Sequence, residues 1–371
     1  MEKIFNKNGG ELIQNKIDAA VKEGTNSAVV NGNWEIEKTI KIPSNFHLVL
    51  EDCHLKMADN TVCNMFTNEH CRTEIGHTLA GQDHDIFLEG RGSAVLDGGN
   101  HNGVYQTNSK LYEWMPNPVL NGEKPHVTNN HTILFTNVTR FTVKNISIHN
   151  HRFWAMNFIY CTYGKIQNID FRANYYTFDM DTKELFPFSS VRDITGESNR
   201  CVRVPNADGV NIRTGCHDIM IENITGYTED DTVAISPNDI QLKAYTVSDA
   251  QRDVYNIVVR NVNSSALCSN VRIFNQTNDK LYNIFVDGVF DSSAESPYMD
   301  RGYCGVRVGD RTQYGTEKSP AENTYNIKIK NVYSRACTVI RLIGAMRNVT
   351  YENVNGYDDN ICFSDIETLE D

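Results

Sequence analysis

Seven short segments of this chain share one pattern: RFTVKNISI, GKIQNIDF, HDIMIENITG, YNIVVRNVNS, YNIFVDGVFD, YNIKIKNVYS and RNVTYENVNG. Each is a short alternating strand followed by Asn, once by Asp, and then usually by an apolar residue. The shared positions are Asn145, Asn168, Asn223, Asn261, Asp287, Asn331 and Asn353, and the closest neighbours lie 22 or 23 residues apart. A period of that length, built on short β-branched strands with Asn at a turn, is the pattern of a parallel β-helix. One unit cannot bury its apolar face alone and must stack on the next. Asn suits the turn because it tolerates the left-handed conformation, and its amide can bond along a ladder of equivalent turns. Coils then stack at the ordinary strand spacing of about 4.8 Å. Sequons such as those at Asn145 and Asn223 are therefore read as turn residues and not as glycosylation acceptors.

The remaining sequence is organised around that stack. Near the start, ELIQNKIDAAVKEG places Leu12, Ile13, Ile17, Ala20 and Val21 near helical spacing, with Gly24 as a stop. A helix over about residues 10–25 is expected to cap one end of the core and hide the first strand edge. The whole chain, 1–371, reads as a single domain. Four insertions, 101–126, 175–200, 236–251 and 292–303, interrupt the rhythm, and on a rigid solenoid such loops shape groove walls.

The repeat also sets a register. A second strand follows each turn: WAMNF, DGVNI, DTVAI, SNVRI, CGVRV and TVIRL. Their apolar pairs align as Met156/Phe158, Val210/Ile212, Val233/Ile235, Val271/Ile273, Val306/Val308 and Ile340/Leu342. The residue between each pair faces away from the core: Asn157, Asn211, Ala234, Arg272, Arg307, Arg341. Two positions before each pair stand Trp154, Asp208, Asp231, Ser269, Cys304 and Thr338. Asp208 and Asp231 thus occupy equivalent places in adjacent coils, with Asp230 and Glu229 beside them. Strict alternation would turn Asp208 and Asp231 inward, where an unpaired carboxylate is costly. The chain is therefore expected to bend at the strand entrance, helped by Gly209.

One Asp at a strand entrance is ordinary turn chemistry. Three in two stacked coils are not, because like charges a few ångströms apart repel and raise one another's pKa. Clusters of this kind tend to be catalytic or to bind metal. Three arginines in one column repel as well, and an anionic ligand spanning them would relieve that.

Composition narrows the partner. The formal net charge is −12, which argues against nucleic acid as the main partner. No run of ~18 apolar residues exists, so no membrane span is expected. The ten cysteines include no CxxC pair and read as small buried residues, not as a zinc site or a disulfide framework. MEKIFNKNGGELIQ lacks the apolar stretch of a signal peptide, so a cytoplasmic location is expected, or a secreted one if a signal has been removed.

NADGVNI followed one coil later by EDDTVAIS resembles the polygalacturonase family, glycoside hydrolase family 28. That family carries Asn-Thr-Asp-Gly and then Gly-Asp-Asp. The opening helix with TIKIPSNFHLVLEDCHLKM, and NISIHNHRFWAMNF before the acids, are also similar to it, so the resemblance spans about residues 10–355. It implies an all-β, single-stranded, right-handed parallel β-helix with an N-terminal capping helix, and an inverting hydrolase that needs no cofactor and no metal. Asp230 would be the general acid, and Asp208 and Asp231 would activate water. Asn206, Arg307, Arg272, His151, Trp154 and Ser269 would line the substrate, an acidic, pectin-like poly- or oligosaccharide containing uronic acid. Trp154 could stack on a pyranose ring, or be a half-buried aromatic of the solenoid. The chain departs from the family at three places. Ala207 replaces the Thr, Ser269 stands where the family has His, and Gly309 stands where it has Lys. The last two bear on orientation and on holding the substrate carboxylate, and Arg272 could take over part of that task. Two rival functions fit a β-helix with clustered acids. One is a polysaccharide lyase with an Arg or Lys base and a calcium ion held by the acids. The other is a non-catalytic glycan-binding or structural solenoid.

Overall fold

The computed structural model of the chain describes residues 3–99 apart from 60 and 62, 130–151, 154–173, 208–239, 242–293, 296, 301–309 and 319–356. At 176–179, 185–187 and 201–204 it describes the backbone alone. The described strands form a right-handed parallel β-helix. The chain alternates between a sheet of ten long strands and a sheet of nine shorter ones, and each strand pairs with its counterpart one coil away.

The core follows from the alternation. The apolar residues after the turn stack as Ile146, Ile169, Ile224, Val262, Val289 and Val332, each in register with the next. All six are buried. Burying each such side chain stabilises the coil by roughly 1.5–3 kcal/mol, so the stack is held mainly by its interior. The capping helix runs Gly9–Glu23 and buries Ile13, Ile17 and Ala20 over the first coil, while Val21, expected on the same face, is exposed.

The turn asparagines behave as the repeat implies, with one correction. Asn145, Asn168, Asn223, Asn261, Asn331 and Asn353 all have φ between 52° and 60°. Asn168 donates to Asn145 at 2.7 Å, Asn223 to Asn168 at 2.9 Å, Asn261 to Asn223 at 3.1 Å and Asn353 to Asn331 at 2.6 Å. Asp287 does not hold this position. It pairs in register with Arg260 and Lys330, and Gly288, at φ 83°, stands opposite the turn asparagines. Glycine takes the left-handed conformation without steric cost but has no amide to pass on. Asp287 still accepts from Asn331 at 2.7 Å, from one residue earlier.

A second amide ladder lies at the strand entrances, where Asn283 donates to Asn256, Asn326 to Asn283 and Asn348 to Asn326 at 3.1, 3.2 and 2.7 Å. Beside it the rings of His217, Tyr255, Tyr282 and Tyr325 stack at 4.6–4.9 Å.

The insertion 101–126 lies outside the described residues, as does most of 175–200 and part of 292–303. Within and after the second, Tyr176–Asp179, Leu185–Pro187 and Cys201–Val204 form a small antiparallel sheet. The insertion 236–251, described except at 240 and 241, folds back onto the short-strand sheet. Its Leu242, Tyr245 and Val247 form a second apolar cluster with Cys71, Leu134, Trp154, Ile159 and Tyr160, outside the coil stack. The eight described cysteines are all free, and five of them are buried.

Candidate active site

The register places the acids on adjacent coils, as the alignment of the apolar pairs requires. Val210 pairs with Val233, Val233 with Val271, Val271 with Val306 and Val306 with Ile340. The backbone N–H of Gly209 donates to Asp231 O at 2.9 Å, and that of Thr232 to Ser269 O at 2.9 Å, so Asp208, Asp231 and Ser269 sit on successive rungs. The Asp208 and Asp231 side chains do not join the apolar interior. Their partners are Arg213 and Arg272, and Arg272 lies on the outer face between Val271 and Ile273. Gly209 permits the bend, since a Cβ there would lie 2.5 Å from Thr232 O and 2.8 Å from the Phe171 ring. Behind the acids, Thr228 bonds Thr232, Ser264 bonds Thr232 and Asn270 bonds Ser264, at 2.9–3.1 Å, bracing the turn that carries Glu229 and Asp230.

One oxygen each of Asp208, Asp230 and Asp231 lie within 4.8 Å of one another. Asp208 is 5% exposed and Asp231 6%, while Asp230 is half-buried. The Asp231 N–H donates to Asp208 Oδ1 at 3.3 Å. Burial, then the charges of Asp230 and Asp231, push the Asp208 carboxyl well above the ordinary carboxylate range, against the opposing pull of Arg213. Burial and Asp230 raise Asp231 to about 7, although Arg272 and the nearby Ser269 hydroxyl oppose the shift. Ser269 is close enough to act on Asp231 electrostatically but short of a well-aligned hydrogen bond. The cluster therefore keeps a proton near neutral pH, which is what acid–base chemistry on a glycosidic oxygen needs.

Two buried cations offset the acids. Arg213 lies 3.5 Å from Asp208 Oδ2, also bonds Asn211, and rests 4.0 Å from the centre of the Trp154 ring. Arg272 is 4% exposed, 3.8 Å from Asp231 Oδ2 and 4.7 Å from the centre of the Phe274 ring. A divalent cation could be reached by the three carboxylates, but these two arginines already supply positive charge there. In a second acid group, Glu69, His70 and Asp83, the Asp83 oxygens are engaged by Ser44, Asn68 and His70.

The other residues singled out in the sequence fall in several places. Arg307 is half-buried and reaches toward Tyr303, with its guanidinium 5.8 Å from the ring centre. His151 is fully buried against Phe171. Trp154 is 8% exposed, between Arg213 and the stacked ring of His131. In this structure Trp154 therefore supports Arg213 and shows little face to solvent. Asn206 lies outside the described residues. Sequence reasoning missed three residues. Arg213 follows Asn211 by two and so shares its outer face, a signal that was available. Cys268 lies one coil from Asp230 and Tyr303 two coils from it, in one column. The Cys268 thiol is pushed up strongly by burial and by the neighbouring acids, so it stays protonated.

Comparison with known proteins agrees with this geometry. The sequence profile described as Glycosyl hydrolases family 28 matches residues 35–273, which hold all three acids. No curated protein sequence matches. Among solved structures, the chain is similar to a hyperthermoactive exopolygalacturonase from Thermotoga maritima, at 13% identity and a TM-score of 0.50, covering 92% of this chain and 82% of that one. It is also similar to a 1,3-α-1,4-β-D-galactose-4-sulfate-3,6-anhydro-D-galactose-2-sulfate 4 galactohydrolase, at 12% identity and a TM-score of 0.53, covering 94% and 83%. A third is the polygalacturonase from Erwinia carotovora ssp. carotovora, at 12% identity and a TM-score of 0.46, covering 91% and 89%. At these identities the first two structures speak for the fold alone, and the profile match over more than half of the chain decides the family. The hydrolase reading thereby prevails over the lyase and the inert solenoid: the chain belongs to Glycosyl hydrolases family 28 and is an O-glycosyl hydrolase.

Proposed function

We propose that the chain hydrolyses a glycosidic bond in an acidic, pectin-like poly- or oligosaccharide through Asp208, Asp230 and Asp231. The observation that carries the proposal is the carboxylate trio itself, two members buried and raised in pKa, on the outer face of adjacent coils. Asp230, the most accessible of the three, would protonate the leaving oxygen. Asp208 and Asp231 would hold the water, and whichever of them is ionised would activate it, the retained proton being shared within the cluster. Arg307, half-buried on the same sheet, would face an anionic group of the sugar. The name of the exopolygalacturonase neighbour fits an acidic substrate, and so does an outer face that offers arginine next to acids.

Inversion by a lone pair of carboxyls needs roughly 6.5–9.5 Å between them, so that water fits beside the sugar. The trio is tighter, within 4.8 Å at its closest oxygens. Three acids ease that requirement, because the water can sit between Asp208 and Asp231 while Asp230 acts separately. The tight spacing also favours a second reading, retention through a covalent glycosyl intermediate, for which roughly 5–5.5 Å is usual. Oligogalacturonides and neutral oligosaccharides incubated with the protein, with the first-formed anomer read by NMR, separate these outcomes. Release of the inverted anomer from an acidic glycan supports the proposal. A retained anomer overturns the inverting mechanism, and cleavage of neutral glycans alone overturns the substrate class.

A further inference from the structure

A side chain that points outward from the middle of a short strand should meet solvent or substrate. Here its exposure changes along the sheet. Leu134, Asn157, Asn211 and Ala234 are successive members of one outward column, and all four are fully buried. Past the acids the cover thins, and Arg307 and Arg341, in the same column, are half-buried. The insertion 236–251 accounts for the difference. It leaves the sheet after Ile235, on the coil of Asp231, and runs back over the earlier coils. The Ser248 N–H donates to His77 O at 2.8 Å, and His77 Nδ1 lies 3.0 Å from Thr246 O. His77 follows the strand Phe66–Asn68, four strands earlier in the short-strand sheet, or about 19 Å at the strand spacing. Both ends of the span are fastened. Asn137 donates to Gly76 O at 3.2 Å and Thr78 O at 2.8 Å, while Arg252 donates to Asp239 at 2.9 Å and Asp279 at 3.1 Å.

Between those ends, Leu242, Tyr245 and Val247 are each at most 3% exposed and pack in one cluster with Leu134, Trp154 and Tyr160. Trp154 stands at the entrance of the strand Met156–Ile159 and Tyr160 at its exit, so the cluster crosses the sheet from edge to edge. A sugar entering there would bury hydroxyl groups against apolar side chains that cannot bond them. We propose that the 236–251 insertion dams the outer face on the side of the earlier coils, so that the protein removes single sugar units from a chain end and does not cut within the chain. The proposal rests on the three-acid hydrolase reading above. Trp154 lies two rungs before Asp230, about 10 Å at the strand spacing. Arg213, buried between Trp154 and Asp208, takes part of that gap, which leaves room for one sugar ring on that side.

The test follows the first products released from a galacturonate hexamer, resolved by mass spectrometry. The parent protein yields monomer and pentamer in equal amounts, and tetramer only later, from the pentamer. Trimer, or dimer with tetramer, among the first products overturns the dam. Leu242→Ala with Tyr245→Ala opens the cluster and brings trimer into the first products. Arg252→Met, which loosens the root of the insertion and leaves the three apolar side chains in place, shifts the ratio the same way. A merely structural role would slow all products without changing their ratio. An unchanged ratio in both variants, each shown to be folded by its urea midpoint, overturns the assignment of the dam to the insertion. If the parent leaves the galacturonate hexamer whole and cuts a neutral galactose hexamer, the acidic-glycan reading has failed, and the neutral products decide the dam by the same ratio. If the folded parent cuts neither, both readings fall.

Discussion

Replacing Asp231 by Asn should make the folded protein more stable at neutral pH while removing a group proposed to activate water. In the fold the Asp231 carboxyl rises from an ordinary 3.8 to about 7, through burial and the charge of Asp230. The folded state therefore holds that proton more tightly than the unfolded chain. The associated stability is fully present below about pH 4 and is lost as pH rises through about 7. At 1.36 kcal/mol per pKa unit, the loss is about 4 kcal/mol above pH 7. The uncharged amide of the variant would carry no such pH-dependent loss. Arg272 loses the Asp231 carboxylate at 3.8 Å, while Asp208 keeps Arg213 at 3.5 Å. The advantage of the variant should be near zero at pH 4, grow through pH 6, and level off at up to about 4 kcal/mol by pH 8. Urea unfolding midpoints of the two proteins from pH 4 to pH 8 measure it. An advantage that does not shrink toward pH 4, or none at pH 8, would refute the electrostatic account of the cluster. The gain illustrates how a site prepared for chemistry holds its charges at the expense of stability.

Three further outcomes follow from the same geometry. Asp230→Asn should lower hydrolysis of a natural linkage about 10²–10⁴-fold, with much of the rate regained on an aryl glycoside whose leaving group needs no proton; rescue in Asp208→Asn instead would move the acid role there. Asn223→Ala removes one donated and one accepted ladder bond and places alanine at φ 57°. It should cost about 2–3 kcal/mol in urea unfolding, and Asn223→Gly, which keeps the conformation, about 1 kcal/mol less. Exhaustive dialysis against a chelator should leave hydrolysis unchanged, whereas loss restored by calcium would return the acids to a metal-binding role.

The stacking was legible because its signals are local and periodic. Alternation fixes which residues meet the interior, and asparagine marks the left-handed turn, so the register from Met156 to Leu342 could be written from the sequence. The same logic failed at Asp287 because the turn residue there is glycine, and a pattern keyed to amides slid by one position. The entrance ladder of Asn256, Asn283 and Asn326 was present in each YNI but carried no separate expectation. What the period cannot encode is what covers the outer face. Asn157, Asn211 and Arg272 were expected to face away from the core and do, yet all three are buried. Trp154 likewise sits in a cluster with Leu242 and Tyr245, residues of an insertion. Contacts between an insertion and the coils join residues about ninety positions apart, with no repeat to announce them. Arg213 was recoverable from alternation alone, but its purpose emerges only beside Asp208 and Trp154.

The missing amide at Gly288 bears on how the solenoid comes apart. In a stack where each repeat touches only its neighbours, opening begins at the weakest junction. Among the described residues, no side-chain bond joins Asn261 to the coil of Gly288, so the turn ladder pauses there and only the entrance ladder, through Asn283 and Asn256, crosses that junction. The acids lie on one side of that pause and Tyr303, Arg307 and Arg341 on the other. The later coils would then detach and reseal as one cooperative block, with their amides exchanging hydrogen for deuterium together and ahead of those around Asp208. In such an event the protein keeps its acids in place while the coils of Arg307 and Arg341 open.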